Sequence, residues 1–369
     1  MSIAPGLLPE GLRDRLPPQA EAASLLMHRV IVAIGRHGYA RVMPPLAEFE
    51  ESLVGRLKSS RAQDLFRMVD PVSQRMLALR PDITAQIGRI AATRMGHAPR
   101  PLRLAYGGTV IKLRATQLRP ERELMQAGAE LVGSDSVAAV IEVLQVALDA
   151  LRAAGVTGIT VDLTLPDLVD TLAAGAMPIA PDQVAQVRAL LDAKDAGGLA
   201  AAGAEAYLPL LSAAGPIDSA LGRMRALDRT QALDSRLAGI EQIAAAIGDD
   251  VALTLDPTER HGFEYQSWVG FSLFGAGLTG EIGRGGSYTI VHADGREEPA
   301  VGFSLYLDPL VDIGLGVEAV KRVFLPLGHD KAAAADLRGA GWTTVAALSE
   351  QDRPDNCTHR LEGDAPVPL

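Results

Sequence analysis

One cysteine, Cys357, stands alone in 369 residues. A lone thiol excludes an intrachain disulfide and suits a reducing compartment, so a cytoplasmic location is expected. No apolar run reaches the roughly 18–20 residues that a bilayer requires, and no membrane association is expected. The opening Met1-Ser2-Ile3-Ala4-Pro5-Gly6 has neither the basic region nor the apolar stretch of a secretory signal. Glycine-rich phosphate loops, His/Cys ligand spacings and nucleophile elbows are missing as well. The seven histidines are scattered, which argues against a bound metal.

Positive charge is also in short supply. Thirty-five Lys and Arg face 45 Asp and Glu, leaving a formal charge of −10. A nucleic-acid surface works by displacing counterions with basic side chains. The cluster Arg114, Arg119 and Arg122 therefore reads first as a solvated or interface loop and second as a phosphate contact. No nucleic-acid partner is expected.

What is present is ordinary globular material, 48% hydrophobic and 22% charged, enough for one large domain with smaller attachments. Ala22, Leu25, Leu26, Val30 and Ile34 recur at helical spacing over 18–36, and Gly38 ends the run. Tyr39 to Met43 reads as a strand broken by Pro44-Pro45. Residues 83–95 read as a helix, 102–111 and 124–131 as a hairpin, 136–153 as a helix and 159–164 as a strand. From about Pro166 to Asp249 the composition turns to Ala, Leu and Asp with helical spacing, which reads as an inserted packed helical module. Strands resume at 251–255, 264–274, 286–292 and 301–305, with Asp294-Gly295 marking a hairpin turn. Val323 to Leu327, Asp330 to Gly339 and Trp342 to Leu348 form one β–α–β unit. The last residues, with Pro354, Pro366 and Pro368, read as loosely ordered chain.

Five segments, taken in order, carry a resemblance. They are Gly38-Tyr39-Ala40-Arg41-Val42-Met43-Pro44-Pro45, Arg80-Pro81-Asp82-Ile83-Thr84-Ala85, Tyr106 to Gly133, Arg260 to Val269 with Gly285-Gly286-Ser287-Tyr288, and Val301 to Leu310. Together they resemble histidyl-tRNA synthetase, a class II aminoacyl-tRNA synthetase, over roughly the first 320 residues. The departures fall on one side of the site. Tyr306, Asp308 and Pro309 stand where the third motif of that family has Gly, Glu and an ATP-contacting Arg. Lys112 replaces a phosphate-gripping arginine and loses its bidentate fork. Arg114 reverses an acidic position, Leu124 replaces an aromatic that stacks on adenine, and Ser287 and Thr289 replace an arginine and an aspartate. A degraded ATP half beside a retained amino-acid half resembles the regulatory subunits of ATP phosphoribosyltransferase, a family paralogous to the synthetases. That family lacks a complete anticodon-binding domain, and few residues follow the third motif here.

The resemblance implies an α+β fold: a class II synthetase-like antiparallel sheet flanked by helices, with a helical insertion and a truncated C-terminal β–α–β stub. The expected parts are a core of 1–165 and 251–321, an insertion of 166–250, and a stub and tail of 322–369. It implies no catalytic residue and no cofactor. It implies the short-form catalytic subunit of ATP phosphoribosyltransferase as partner, L-histidine as effector, and a homodimer within a hetero-oligomer. An amino-acid-activating synthetase and a stand-alone histidine sensor or scaffold are the alternative readings.

By the same resemblance, Asp82, Thr84 and Gln126 would meet the histidine amino group, Glu130 and Tyr265 its ring, and Arg260 its carboxylate. Carboxylates accept from ammonium and imidazole N–H groups, which suits Asp82 and Glu130. Each has a plainer reading. Asp82 has the alternative of simply capping the helix that follows. Glu130 lies among Ala127, Ala129, Leu131 and Val132; facing inward it needs a partner, and facing outward it is the polar half of an alternation. Arg260 reads either as a ligand or as an ion-pair partner of Glu130 or Asp82. His261 and Glu264 depart from the family glycine and tyrosine, so ring recognition is expected to differ in detail.

Overall fold

The computed structural model describes residues 6–53, 65–114, 120–248, 250–260 and 266–369. Two compact units divide at Gly316–Val317, slightly before the boundary expected at 321. The helical stretch after residue 166 belongs to the first unit together with the sheet.

The first unit opens with α1 (Gln19–Arg36), β1 (Ala40–Arg41), β2 (Ala47–Phe49), the short α2 (Glu50–Leu53), β3 (Arg67–Val69), β4 (Met76–Leu79) and α3 (Thr84–Thr93). It continues through β5 (Leu102–Ile111), β6 (Glu123–Val132), α4 (Val137–Ala153) and β7 (Thr160–Thr164). The helical stretch holds α5 (Leu168–Ala173), α6 (Val184–Asp192), α7 (Ala196–Ala201), a 3-10 segment (Glu205–Ser212), β8 (Gly215–Pro216), α8 (Ile217–Leu227) and α9 (Asp234–Ile247). The sheet then resumes with β9 (Ala252–Leu255), β10 (Gln266–Phe274), β11 (Gly283–Val291), β12 (Glu297–Tyr306) and the one-turn α10 (Asp308–Asp312).

Helical spacing is realised directly in α1, where Ala22, Leu26, Val30 and Ile34 are wholly buried. Gly38, at φ 83°, turns the chain out of it, in the left-handed region that glycine enters without steric cost. The Ser136 hydroxyl accepts from Ala139 N–H and caps α4.

Among the described residues the main sheet has nine strands in the order β1-β5-β6-β12-β11-β10-β7-β9-β8. Its centre is antiparallel, as expected. Parallel pairs near its two ends, β1 with β5 and β7 with β9, make it mixed. Alternation on the central strands sorts the two faces. Ala127, Ala129, Leu131, Val301, Phe303 and Leu305 pack with α1 and α4. Leu104, Tyr106, Val132, Tyr288 and Tyr306 face the other way, with Ile83, Ile87 and Ala91. The hairpin turn falls at His292–Arg296, where Gly295 N–H donates to the His292 carbonyl at 3.0 Å.

A three-stranded sheet, β2-β4-β3, is not foreseen by the sequence reading. It is tied to α3 through Glu48, which accepts from Gln86 Nε2 at 2.9 Å and pairs with Arg89.

The second unit, taken by itself, contains β13 (Arg322–Leu325), α11 (Lys331–Gly339) and β14 (Thr343–Ala346), the sequence-expected β–α–β. It does not end in loose chain. β15 (His359–Glu362) and β16 (Ala365–Pro368) extend the sheet to four strands, β14-β13-β15-β16. Pro366 and Pro368 are tolerated because β16 is an edge strand, whose outward positions need no N–H. Leu361 is buried with Val323, Leu325, Ala334 and Leu337 as this unit's core.

Candidate functional site

The site is built around strand register. Glu130 on β6 sits between Leu104 of β5 and Gly302 of β12. Gly302 in turn pairs with Gly286 of β11. A Cβ at Gly302 would overlap the Glu130 carboxylate, so glycine there is what admits the side chain. Glu130 is 1% exposed, and it faces the α3 side of the sheet rather than solvent.

Two phenols hold the carboxylate. Tyr288 donates to Oε2 at 2.8 Å, and Tyr106 donates to Oε1 at 3.1 Å. Burial pushes the Glu130 carboxyl up to about 8, opposed by hydrogen bonds from Tyr288, Thr84 and Tyr106 and reinforced by the charge of Asp82. The Tyr106 phenol is also pushed far up, by burial first and then by Glu130. Its oxygen lies 2.9 Å from Ser304 Oγ and 3.2 Å from Thr84 Oγ1.

Gln126 links this cluster to Asp82. Its Nε2 donates to Asp82 Oδ2 at 2.6 Å and to Ser304 Oγ at 2.7 Å, while its Oε1 accepts from Ile83 N–H at 3.0 Å. Asp82 uses both of its oxygens within the chain. One oxygen accepts Thr84 N–H at 2.7 Å, at the start of α3, and the other serves Gln126. The loop is fixed from behind by Arg80, which donates to the carbonyls of Thr109 at 2.7 Å and Pro44 at 2.9 Å.

Asp82, Thr84, Gln126 and Glu130 thus come together, joined by Tyr106, Tyr288 and Ser304, which the sequence reading did not single out. All three lie inside segments that carry the resemblance, so the signal was one of place rather than chemistry. Thr84, Glu130, Arg284, Gly285, Gly286, Tyr288, Gly302, Phe303 and Ser304 line a cavity of only about 10 Å³. Arg260 is engaged toward the helical stretch. Its N–H donates to Asp192 Oδ1 at 2.7 Å, and its guanidinium reaches the Pro166 carbonyl at 3.5 Å. Tyr265 lies outside the described residues, as do His261, Glu264 and Arg119.

Positions that the resemblance aligns with nucleotide contacts are taken up by the chain's own packing. Leu124 and Tyr306 are buried in the α3-side core. The Asp308 carboxylate accepts Met125 N–H at 2.7 Å and Arg15 Nη2 at 2.6 Å. Burial pushes Asp308 up, against the pull of those two partners. Pro309 forms the first turn of α10. Ser287, in place of an arginine, accepts N–H groups of Trp268 and Val269 at 3.2 Å, stitching an irregularity in the β10–β11 pairing. The nearby cavity of about 300 Å³ is lined by Arg13 and Arg15 against Asp14, Glu123 and Asp308, a poor balance for a polyphosphate.

The histidyl-tRNA synthetase family model matches residues 11–310. The chain is 43% identical to the ATP phosphoribosyltransferase regulatory subunit of Paramagnetospirillum magneticum, over 98% of this chain and 97% of that one. It is 41% identical to the subunit of the same name from Rhodospirillum centenum, over 98% and 96%. The chain belongs to the ATP phosphoribosyltransferase regulatory subunit family. Among solved structures, an ATP phosphoribosyltransferase regulatory subunit/histidyl-tRNA synthetase from Bacillus halodurans superposes with a TM-score of 0.82 at 23% identity, covering 98% of each chain. Histidyl-tRNA synthetase from Nostoc sp. PCC 7120 superposes at 0.76 with 16% identity, covering 94% of this chain and 87% of that one. The fold of this family member is therefore the class II synthetase fold. Among its described residues no helix is long and apolar enough to cross a membrane.

Proposed function

We propose that the chain is a non-catalytic subunit of ATP phosphoribosyltransferase that binds L-histidine and passes its occupancy to a short-form catalytic partner, in the cytoplasm. The observation that carries this reading is the asymmetry of the site. A buried, hydrogen-bonded carboxyl cluster is kept on one side, while Asp308, Leu124 and Tyr306 serve internal packing on the other. Asp82, Thr84 and Gln126 supply acceptors for the ammonium, and Glu130 accepts from an imidazole N–H. In this reading Arg260 and Tyr265 are assigned to the carboxylate and the ring by the family resemblance alone. A homodimer within a hetero-oligomer is the assembly this reading carries.

The cavity of about 10 Å³ takes in Thr84 and Glu130 but not Asp82, Gln126 or Arg260, so it is one corner of the proposed pocket. A rearrangement around Glu130 on histidine binding is part of this proposal. A ligand that prefers one conformation over another is what feedback requires.

The test is calorimetric titration of the purified chain with histidine and with ATP, alone and mixed with the catalytic subunit. Histidine binding without ATP binding, together with activation of the partner and its inhibition by histidine, is the expected result. Histidine-dependent ATP–pyrophosphate exchange would return the chain to the synthetases.

A further inference from the structure

The segment Asp256–Arg260, which leaves β9 and carries Arg260, is held between two bodies. On the sheet side, Asp256 N–H donates to the Leu163 carbonyl at 2.9 Å, and the Thr164 hydroxyl donates to the Glu259 carbonyl at 2.5 Å. On the other side stands the C-terminal corner of α6. Lys194 Nζ donates to both oxygens of Asp256, at 2.8 and 2.7 Å, and to Thr258 Oγ1 at 2.5 Å. Asp192 Oδ1 accepts Arg260 N–H at 2.7 Å. Asp256 also accepts the Thr258 N–H at 3.1 Å and hydroxyl at 3.0 Å, so one carboxylate gathers the whole turn.

Lys194 sits where a glycine would be cheaper. Its N–H donates to the Leu191 carbonyl at 3.0 Å, and Asp195 N–H donates to the Leu190 carbonyl at 2.8 Å. Those two bonds close a Schellman motif whose left-handed position is usually glycine. Lys194 occupies it at φ 55°, with a β-carbon that the left-handed region disfavours. A strained residue that places its ammonium on the neighbouring loop is better explained by that ammonium than by helix termination.

We propose that Lys194 and Asp192 are positioning residues, through which the helical stretch sets the Arg260 segment and senses its movement. The link to histidine rests on the assignment of Arg260 to the histidine pocket; the clamp itself does not. A shift of α6, imposed by a partner, reaches Arg260 through these contacts. Ligand pulling on Arg260 reaches α6 by the same route, as linkage requires.

The decisive variant is Lys194→Gly in the full-length chain. Glycine takes the left-handed conformation freely, so the helix end is kept and only the ammonium is lost. Its thermal midpoint is expected to equal or exceed that of the parent. Amide exchange in peptides covering Asp256–Arg260 is expected to quicken at least tenfold, and the histidine Kd to weaken at least fivefold. Lys194→Arg, which keeps a cation at the same φ, is expected to restore both. Unchanged exchange in Lys194→Gly overturns the proposal, as does a Lys194→Arg chain as loose as the glycine variant. If the parent binds no histidine, the pocket assignment falls and the ligand link with it, while the exchange result still decides the clamp.

Discussion

Glu130→Gln separates the charge of this side chain from its shape. Glutamine mimics a protonated carboxyl, and the Glu130 carboxyl is pushed from 4.5 up to about 8 by burial. At about 1.4 kcal/mol per pH unit, ionising it in the folded chain costs about 5 kcal/mol more than in the unfolded chain. Because the folded-state value is raised, the folded chain binds the extra proton between these two values. Its stability is full below pH 4.5 and falls as pH rises through 8. Between pH 5 and pH 9 the parent should lose about 4 kcal/mol that the glutamine variant keeps.

Urea unfolding of both chains at pH 5, 7 and 9 reads this directly, because titrating groups not coupled to Glu130 cancel in the difference. Near-equal stability at pH 5 and a widening advantage for Glu130→Gln toward pH 9 is the expected pattern. Parallel curves over the whole range would show that Glu130 titrates as an ordinary carboxylate, and the description of the buried cluster would fail.

Gly302→Ala must evict the Glu130 carboxylate from both tyrosines. It should cost about 3 kcal/mol by overpacking and lost hydrogen bonds and abolish histidine binding; an unchanged melting temperature would refute the register argument. Glu48→Ala leaves Gln86 and Arg89 without their shared acceptor at a nearly buried position. It should destabilise by about 3 kcal/mol, as for other broken buried pairs, measured by denaturant unfolding. Arg260→Ala should relieve histidine inhibition of the complex while leaving assembly intact by size-exclusion chromatography; loss of assembly would make the residue structural.

Legibility followed the range of the interactions. Helix α1 could be read from spacing because its burial is set within a few turns. Glu130 could be marked as needing a partner because it interrupts an apolar strand, but its partners could not be named. Tyr106 is 24 residues away and Tyr288 is 158 away, and only the pairing of β5, β6, β12 and β11 brings them to one point. The small sheet escaped notice because its strands are three or four residues long and leave Met68, Val69 and Met76 exposed, so no alternation marks them. At the C-terminus the prolines were read as breakers when they lie on an edge. The tie between Arg260 and α6 was invisible for a related reason: Lys194 looks like any surface lysine until its backbone angle is known.

The tyrosines around Glu130 also decide what kind of pocket this is. If Tyr288 is a latch, its bond to Oε2 stabilises the closed cavity and competes with the imidazole N–H for the same acceptor. Tyr288→Phe would then destabilise the closed form by about 1–3 kcal/mol, the cost of leaving a buried acceptor unmade. The observed affinity is the intrinsic one reduced by the fraction of open molecules. Enriching the open form should therefore tighten the histidine Kd, by about tenfold for 1.4 kcal/mol. If instead Tyr288 is a ligand contact, the same substitution weakens binding. Calorimetry on the phenylalanine variant distinguishes the two by sign alone. Tighter binding with loss of discrimination between states would leave a chain that holds histidine and no longer reports it, because a ligand that binds both states equally shifts neither. Weaker binding would refute the latch and move the switch elsewhere, toward the Arg260 segment and its clamp on α6.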